Sequence, residues 1–229
     1  MSHAPDRIID NLSIDCVIFG FENRGLEVLL IKRAVDPAAG EWALPGGFIL
    51  KDENIDNAAE RILFDTAGIK EIFMEQFYVF GDINRYPDRR VITIGYYALV
   101  SPDKYTLHAG IDTSEVKWFP YSQISELPFD HEEIINKALN KLRTRVRHQP
   151  IGFELLPQKF TIPKLQLLYE SILNIKLDKR NFRKKLLKMN LLIKLEEKEK
   201  NNIRRAANLY KFDKKNYKKL INKGFNFDL

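Results

Sequence analysis

Two patterns change at one place in this chain. Up to about residue 147 the apolar residues fall mostly into short strand-like runs; beyond about residue 158 they recur at helical spacing among basic side chains. Charge turns over at the same point. Residues 1–147 hold 17 Lys and Arg against 23 Asp and Glu, a net of −6, whereas residues 148–229 hold 20 against 8, a net of +12. The chain is therefore expected to form an acidic module joined to a polyanion-binding one. A lysine-rich solubilising tail would carry similar charge, but it would lack the hydrophobic periodicity seen here.

In the first module SIDCVIFGF and LEVLLIKR read as strands joined at Asn23-Arg24-Gly25, a hairpin. After the loop AVDPAAGEW and the segment LPGGF, the stretch NIDNAAERILFDTAG repeats Ile55, Ala59, Ile62 and Leu63 at helical spacing and ends at Gly68. EIFMEQFYVFG, VITIGYYALV and EVKWFP supply three more strands. A longer helix follows from Asp130 to about Arg147, with Asp130 and Glu133 at capping-box spacing. Pro150, Gly152 and Pro157 mark an irregular stretch, so the domains are expected at 1–147 and 158–229 with a linker at 148–157.

No run of eighteen apolar residues and no signal-length apolar segment occurs, so a soluble, cytoplasmic protein is expected. Cys16 is the one cysteine and lies in an apolar run; a buried small hydrophobe is its expected role, and no thiol-based metal site can be built.

The second module reads as helix, turn, helix and β-hairpin. Thr161 can cap the first helix, with Pro163 in its first turn and Leu165, Leu168, Tyr169 and Ile172 on one face. A second helix runs from Asp178 to about Asn190, with Phe182, Leu186 and Met189 on its apolar side, then Leu191–Leu195 and NLYKF pair across the loop EEKEKNNIRRAA. That order is a winged helix-turn-helix, whose second helix enters the major groove of DNA. Lys179, Arg180, Arg183, Lys184 and Lys188 are the candidates there, with Arg204, Arg205 and Asn208 on the wing. A solvated charged face and an RNA surface are the competing readings of the same residues.

The stretch GGFILKDENIDNAAERILFDTAG resembles the Nudix box, which runs Gly, five residues, Glu, seven residues, then Arg-Glu-aliphatic-x-Glu-Glu-x-Gly-aliphatic. Gly47, Glu53, Arg61, Leu63, Gly68 and Ile69 match in register. Ile62, Asp65 and Thr66 stand where the box has glutamates. In Nudix hydrolases those carboxylates bind Mg²⁺ and activate water, chemistry that isoleucine cannot supply. The expectation is an inactive site with no catalytic residues, no metal and no cofactor; residual diphosphate hydrolysis through Glu53 and Asp65 is the alternative.

Together, GEWALPGGF, FGDINRYPDRRVITIGYYAL, PIGFELLPQKFTIPKLQLLYE, DKRNFRKKLL and RRAANLYKF resemble the Nudix-related transcriptional regulators of the NrtR and AraR type. The resemblance implies an α+β chain, a Nudix-like mixed sheet with helices followed by a winged helix-turn-helix. It also implies a homodimer on operator DNA, a repressor, whose Nudix domain senses a small molecule. The effector is either an ADP-ribose-like NAD metabolite or a sugar such as arabinose. Arg85, Arg89 and Arg90 could fork onto phosphates, or pair with Asp82 and Asp88. For a sugar the candidates by position are Lys32, Glu41, Trp42, Glu53, Asp130 and His131, with a helix cap the stronger explanation of Asp130 and a satisfied histidine the ordinary one of His131.

Overall fold

The computed structural model describes residues 7–22, 25–199, 207–225 and 227, and the chain divides into two compact units, Met1–Lys141 and Leu142–Leu229. Seven strands form the sheet of the first unit: β1 (Ile8–Glu22), β2 (Gly25–Arg33), β3 (Trp42–Ala43), β4 (Gly46–Leu50), β5 (Glu75–Phe80), β6 (Ile92–Leu99) and β7 (Thr113–Pro120). Their order is β3-β2-β1-β6-β5, with β4 also paired to β1 and β7 to β2. Only β1 and β6 run parallel; the other pairs are antiparallel, which makes the sheet mixed.

The long β1 organises this unit. Its alternation turns Ile14, Cys16 and Ile18 to one face, where they pack with α1 (Ile55–Ala67) through Ala58, Ala59, Ile62 and Leu63. Cys16 is fully buried there. Asn54 caps α1 by accepting from the Asn57 amide, and Gly68 ends it at φ +74°, a left-handed conformation that suits glycine. Ile55 departs from the expected stripe: it stands in the opening turn and is 42% exposed, because burial against the sheet begins a turn later at Ala58.

Three strands extend or add to the sequence reading. β1 starts at Ile8, since Asp10 and Asn11 fall at its solvent end; β3 begins at Trp42, the last residue of the expected loop; and β4 occupies the Gly-Gly segment, for which no element is expected. Gly46 is there for space: a Cβ would collide with the Asp15 carboxylate on β1.

Within Leu142–Leu229 the elements are the last turns of α2 (His131–His148), then α3 (Ile162–Leu173), α4 (Lys179–Lys188), β8 (Leu192–Lys198), β9 (Asn208–Phe212) and α5 (Lys214–Ile221), the last not foreseen. The segment expected to be a linker belongs to this unit's core. Pro150–Leu155 forms a 3-10 helix whose Phe153 ring stacks 4.3 Å from Phe212, while Leu155 and Leu156 are buried. Proline and glycine gave the irregular backbone; the apolar residues between them gave it something to pack.

Candidate functional site

Asp15 is the centre of the first unit's polar interior. It sits on the face of β1 opposite Ile14 and Cys16, 6% exposed, with the Arg85 guanidinium 3.2 Å away. Arg85 also donates through Nε and one terminal nitrogen to both oxygens of Asp130, at 2.8 and 2.7 Å. Both Asp130 oxygens thus bond Arg85, while the Asp130 carbonyl accepts from the Ile134 amide at 3.0 Å at the start of the helix that follows. Nor does Arg85 pair with the Asp82 side chain as one reading had it; its side chain is 3% exposed and joins two distant carboxylates. Phe129, just before Asp130, holds φ +62°, a strained value for a bulky residue and one often found beside functional sites.

His131 completes the cluster, 4% exposed, with its Nδ1 accepting from the Leu44 amide at 3.0 Å and its Nε2 3.7 Å from Asp15. Burial, reinforced by Arg85 and Arg33 against the pull of Asp130, drives its pKa down to about 3. Burial also pushes Asp15 up to about 6, although Arg85 works the other way. The unfolded imidazole takes a proton below its ordinary 6.5 while the folded one refuses it to about 3; this stability is therefore complete above pH 6.5 and lost as pH falls. Asp15 acts oppositely between about 6 and 4, since there the folded carboxyl holds a proton that the unfolded one releases. His131→Gln keeps an acceptor for Leu44. Thermal melts are expected to show the wild type losing stability from pH 7 to 5 and the variant losing about 2 kcal/mol less over that range; identical slopes would contradict the assignment.

Around the box helix, Arg61 ties the carboxylates together. It donates to both oxygens of Glu53 at 2.8 and 2.6 Å, to Asp65 at 3.3 Å and to the Phe48 carbonyl at 2.9 Å. Burial works to raise the Glu53 pKa, but Arg61 and the Leu50 amide outweigh it and hold it below the usual range. Ile62 is 1% exposed with its side chain turned to Gly47, and the Thr66 hydroxyl donates to the Ile62 carbonyl at 2.7 Å. The magnesium implied by a Nudix box needs several hard oxygens in near-octahedral array. Two carboxylates already bridged by an arginine, beside an isoleucine, do not fit it.

Two adjoining clefts open over these groups, of about 80 and about 290 Å³. Arg33, Gly46, Gly47, Phe48 and Tyr86 line both, so the two clefts share a wall and together make up the groove. Its walls are aromatic: Tyr86 stacks on Phe129 at 5.2 Å, and the Arg89 guanidinium lies 4.5 Å over Phe48. The structure divides the sequence candidates accordingly. Arg85 and His131 line the smaller cleft and Arg89 the larger, while Asp130 and Glu53 stand behind as partners of Arg85 and Arg61. Arg90 is exposed outside both linings. Lys32, Glu41 and Trp42 are brought to neither: Lys32 pairs with Glu115 at 2.9 Å, Trp42 packs 4.7 Å from Phe119, and Glu41 is exposed. Sequence reasoning missed Asp15, Arg33, Phe48, Tyr86 and Phe129; a lone aspartate inside an apolar strand was the available signal for the first.

In the second unit, Thr161 caps α3 and Asp178 caps α4, each side chain accepting from the amide three residues on. The turn between them is held by Glu170, which accepts from the Leu177 amide at 2.8 Å, and by Gln166, which donates to the Leu177 carbonyl at 2.9 Å. Leu165, Leu168, Tyr169 and Ile172 of α3 and Phe182 and Leu186 of α4 are buried, with the Tyr169 and Phe182 rings 5.9 Å apart. Met189 is only half-buried, at the helix end. This leaves Lys179, Arg180, Arg183, Lys184 and Lys188 exposed around α4, together with Lys185. β8 and β9 pair as the wing with Asn208 opposite Lys198; Arg204 and Arg205 lie outside the described residues.

Mixed sheet, box helix and aromatic groove define a Nudix-type domain, and α3, α4 and the β8–β9 hairpin a winged helix behind it. The NUDIX domain pattern matches residues 10–142, and that of the NrtR DNA-binding winged helix domain residues 152–212. An ADPR responsive transcriptional repressor, NtrR, of Acinetobacter baylyi is 32% identical over 90% of this chain and 83% of its own length. Shewanella oneidensis NrtR complexed with a 27mer DNA superposes with a TM-score of 0.75 at 29% identity, covering 95% of this chain and 99% of that one. The NUDIX domain of the same Shewanella oneidensis protein, complexed with ADP ribose, gives 0.55 at 31% identity over 62% of this chain and 94% of that one. The chain belongs to the NrtR family of Nudix-related transcriptional regulators. Among the described residues no helix is long and apolar enough to cross a membrane.

Proposed function

We propose that this protein is a homodimeric repressor of NAD-metabolism genes that releases its operator when an ADP-ribose-like metabolite enters the Nudix groove, and that this groove binds its ligand without hydrolysing it. The observation that carries the reading is the pair Ile62 and Thr66 at two carboxylate positions of the box, the first buried against Gly47 and the second spending its hydroxyl on the Ile62 carbonyl, beside an otherwise ligand-sized groove. Space, aromatic walls and cationic side chains suit an adenine nucleotide with a diphosphate, while Glu53 and Asp65 are already engaged by Arg61. The likeness to a Nudix domain solved with ADP ribose supports the same effector. A sugar is disfavoured because Lys32, Glu41 and Trp42 lie outside the groove.

A ligand regulates only if it binds one arrangement of the protein more tightly than another. In this reading two α4 helices of a dimer fit successive major grooves about 34 Å apart, and the effector favours an arrangement in which they do not. The test uses the full-length protein and a duplex it has enriched from a random-sequence pool. ADP-ribose is expected to weaken binding and arabinose to leave it unchanged; with Mg²⁺ present no AMP or ribose 5-phosphate should accumulate. Duplex affinity indifferent to ADP-ribose at saturating occupancy would sink the sensor, and steady release of AMP would restore the hydrolase.

A further inference from the structure

The winged-helix pattern ends at residue 212, but the folded chain continues into α5, Lys214–Ile221. Asp213 caps it by accepting from the Asn216 amide at 2.9 Å, and two bonds fasten its first turn beside the end of α4. The Asp213 amide donates to the Leu191 carbonyl at 2.8 Å, and the Asn216 side-chain amide donates to the Asn190 carbonyl at 2.8 Å. Tyr217 packs 5.6 Å from Phe212, and Leu220 is half-buried. At 100° per residue Asn216, Tyr217 and Leu220 share one side, which leaves Lys214, Lys215, Lys218 and Lys219 together on the other, all exposed.

That lysine face is unfavourable for the helix alone. Lys214 with Lys218 and Lys215 with Lys219 are like-charge pairs at i,i+4, and the first two lysines stand at the positive end of the helix dipole. KKNYKKLI contains no acidic residue to relieve them, whereas a merely solubilising face gains from interleaved glutamates. Eight residues are also too few to hold a helix without tertiary support. A polyanion reverses the sign of the like-charge term, and a duplex offers one phosphate charge per about 1.7 Å of its axis, against a helix about 12 Å long.

We propose that α5 is a second DNA-contacting element, whose lysines hold the phosphate backbone beside the bases read by α4. The proposal rests on the reading of this chain as a DNA-binding regulator. Backbone contacts position a protein and carry no sequence information, so α5 contributes affinity and salt dependence but no discrimination.

The experiment compares wild type with a full-length variant carrying Lys214→Gln, Lys215→Gln, Lys218→Gln and Lys219→Gln, by fluorescence anisotropy from 50 to 200 mM salt. The probes are the pool-selected duplex and an unrelated duplex of equal length. The variant's slope of log affinity against log salt is expected to shrink by about 2 to 4 and its affinity to fall about tenfold to a hundredfold on both duplexes, leaving their ratio unchanged. The matching set of four Lys→Arg changes should keep the wild-type slope, and a melting temperature no lower than wild type's shows that the Gln variant folds. An unchanged slope, or a loss confined to the selected duplex, overturns the proposal. So does a variant that keeps its duplex slope but no longer sediments with phosphatidylserine vesicles, which would assign the face to a membrane. A wild type that binds neither duplex removes the DNA-binding reading itself, and this inference with it.

Discussion

Replacing Arg85 by methionine is expected to cost about 3–5 kcal/mol of folding stability, measured by urea denaturation at pH 7. The methionine fills much of the same volume, so the loss comes from charge. Asp15 and Asp130 would be left facing each other in a nearly dry interior, each deprived of its hydrogen-bonded cation. Arg85→Lys should fall between, since an ammonium cannot fork across Asp130 while reaching Asp15. The control is the triple change Arg85→Met with Asp15→Asn and Asp130→Asn, which removes both stranded charges and should recover much of the loss. A single Arg85→Met variant as stable as wild type would show that the carboxylates find other partners or take up protons without consequence.

The second large effect belongs to α4. Arg183→Ala with Lys184→Ala is expected to weaken binding to the selected duplex by about a hundredfold or more and to reduce its preference over unrelated DNA. Both side chains are exposed on the face away from Phe182 and Leu186, so folding should be unaffected. Loss of discrimination is what separates this pair from backbone-binding lysines elsewhere in the unit. Full affinity retained by the double variant would move DNA recognition off this helix.

Much of this was legible in the chain because it rests on local rules. The α1 boundaries follow from Asn54 and Gly68, the α3 and α4 starts from Thr161 and Asp178, and the β1–β2 hairpin from two apolar runs around a short turn. What escaped depends on partners far apart in sequence. Gly46 and Gly47 carry no strand signal of their own, and their place in β4 makes sense only with Asp15 and Ile62 set against them. Pro150–Leu155 looks like a tether until Phe212 supplies a ring for Phe153. The groove was read only at its charged residues. Arg85 and Asp130 were each identified, but their fork joins positions 45 residues apart and no spacing rule predicts it. Phe48, Tyr86 and Phe129 went unremarked because aromatic side chains in a folding chain ordinarily signal core. The tail helix α5 escapes for a simpler reason: with Tyr217 and Leu220 alone as its inner apolar residues, eight residues carry too short a pattern to signal a helix.

The bridge made by Arg61 also bears on when such a sensor can be trusted. A pocket that borrowed Mg²⁺ to hold a diphosphate would report two concentrations at once, that of the metabolite and that of the free metal. Here the cation that ties Glu53 and Asp65 together is built into the chain, eight residues from the one and four from the other. On the proposed reading, occupancy of the groove therefore follows the metabolite and is indifferent to free Mg²⁺.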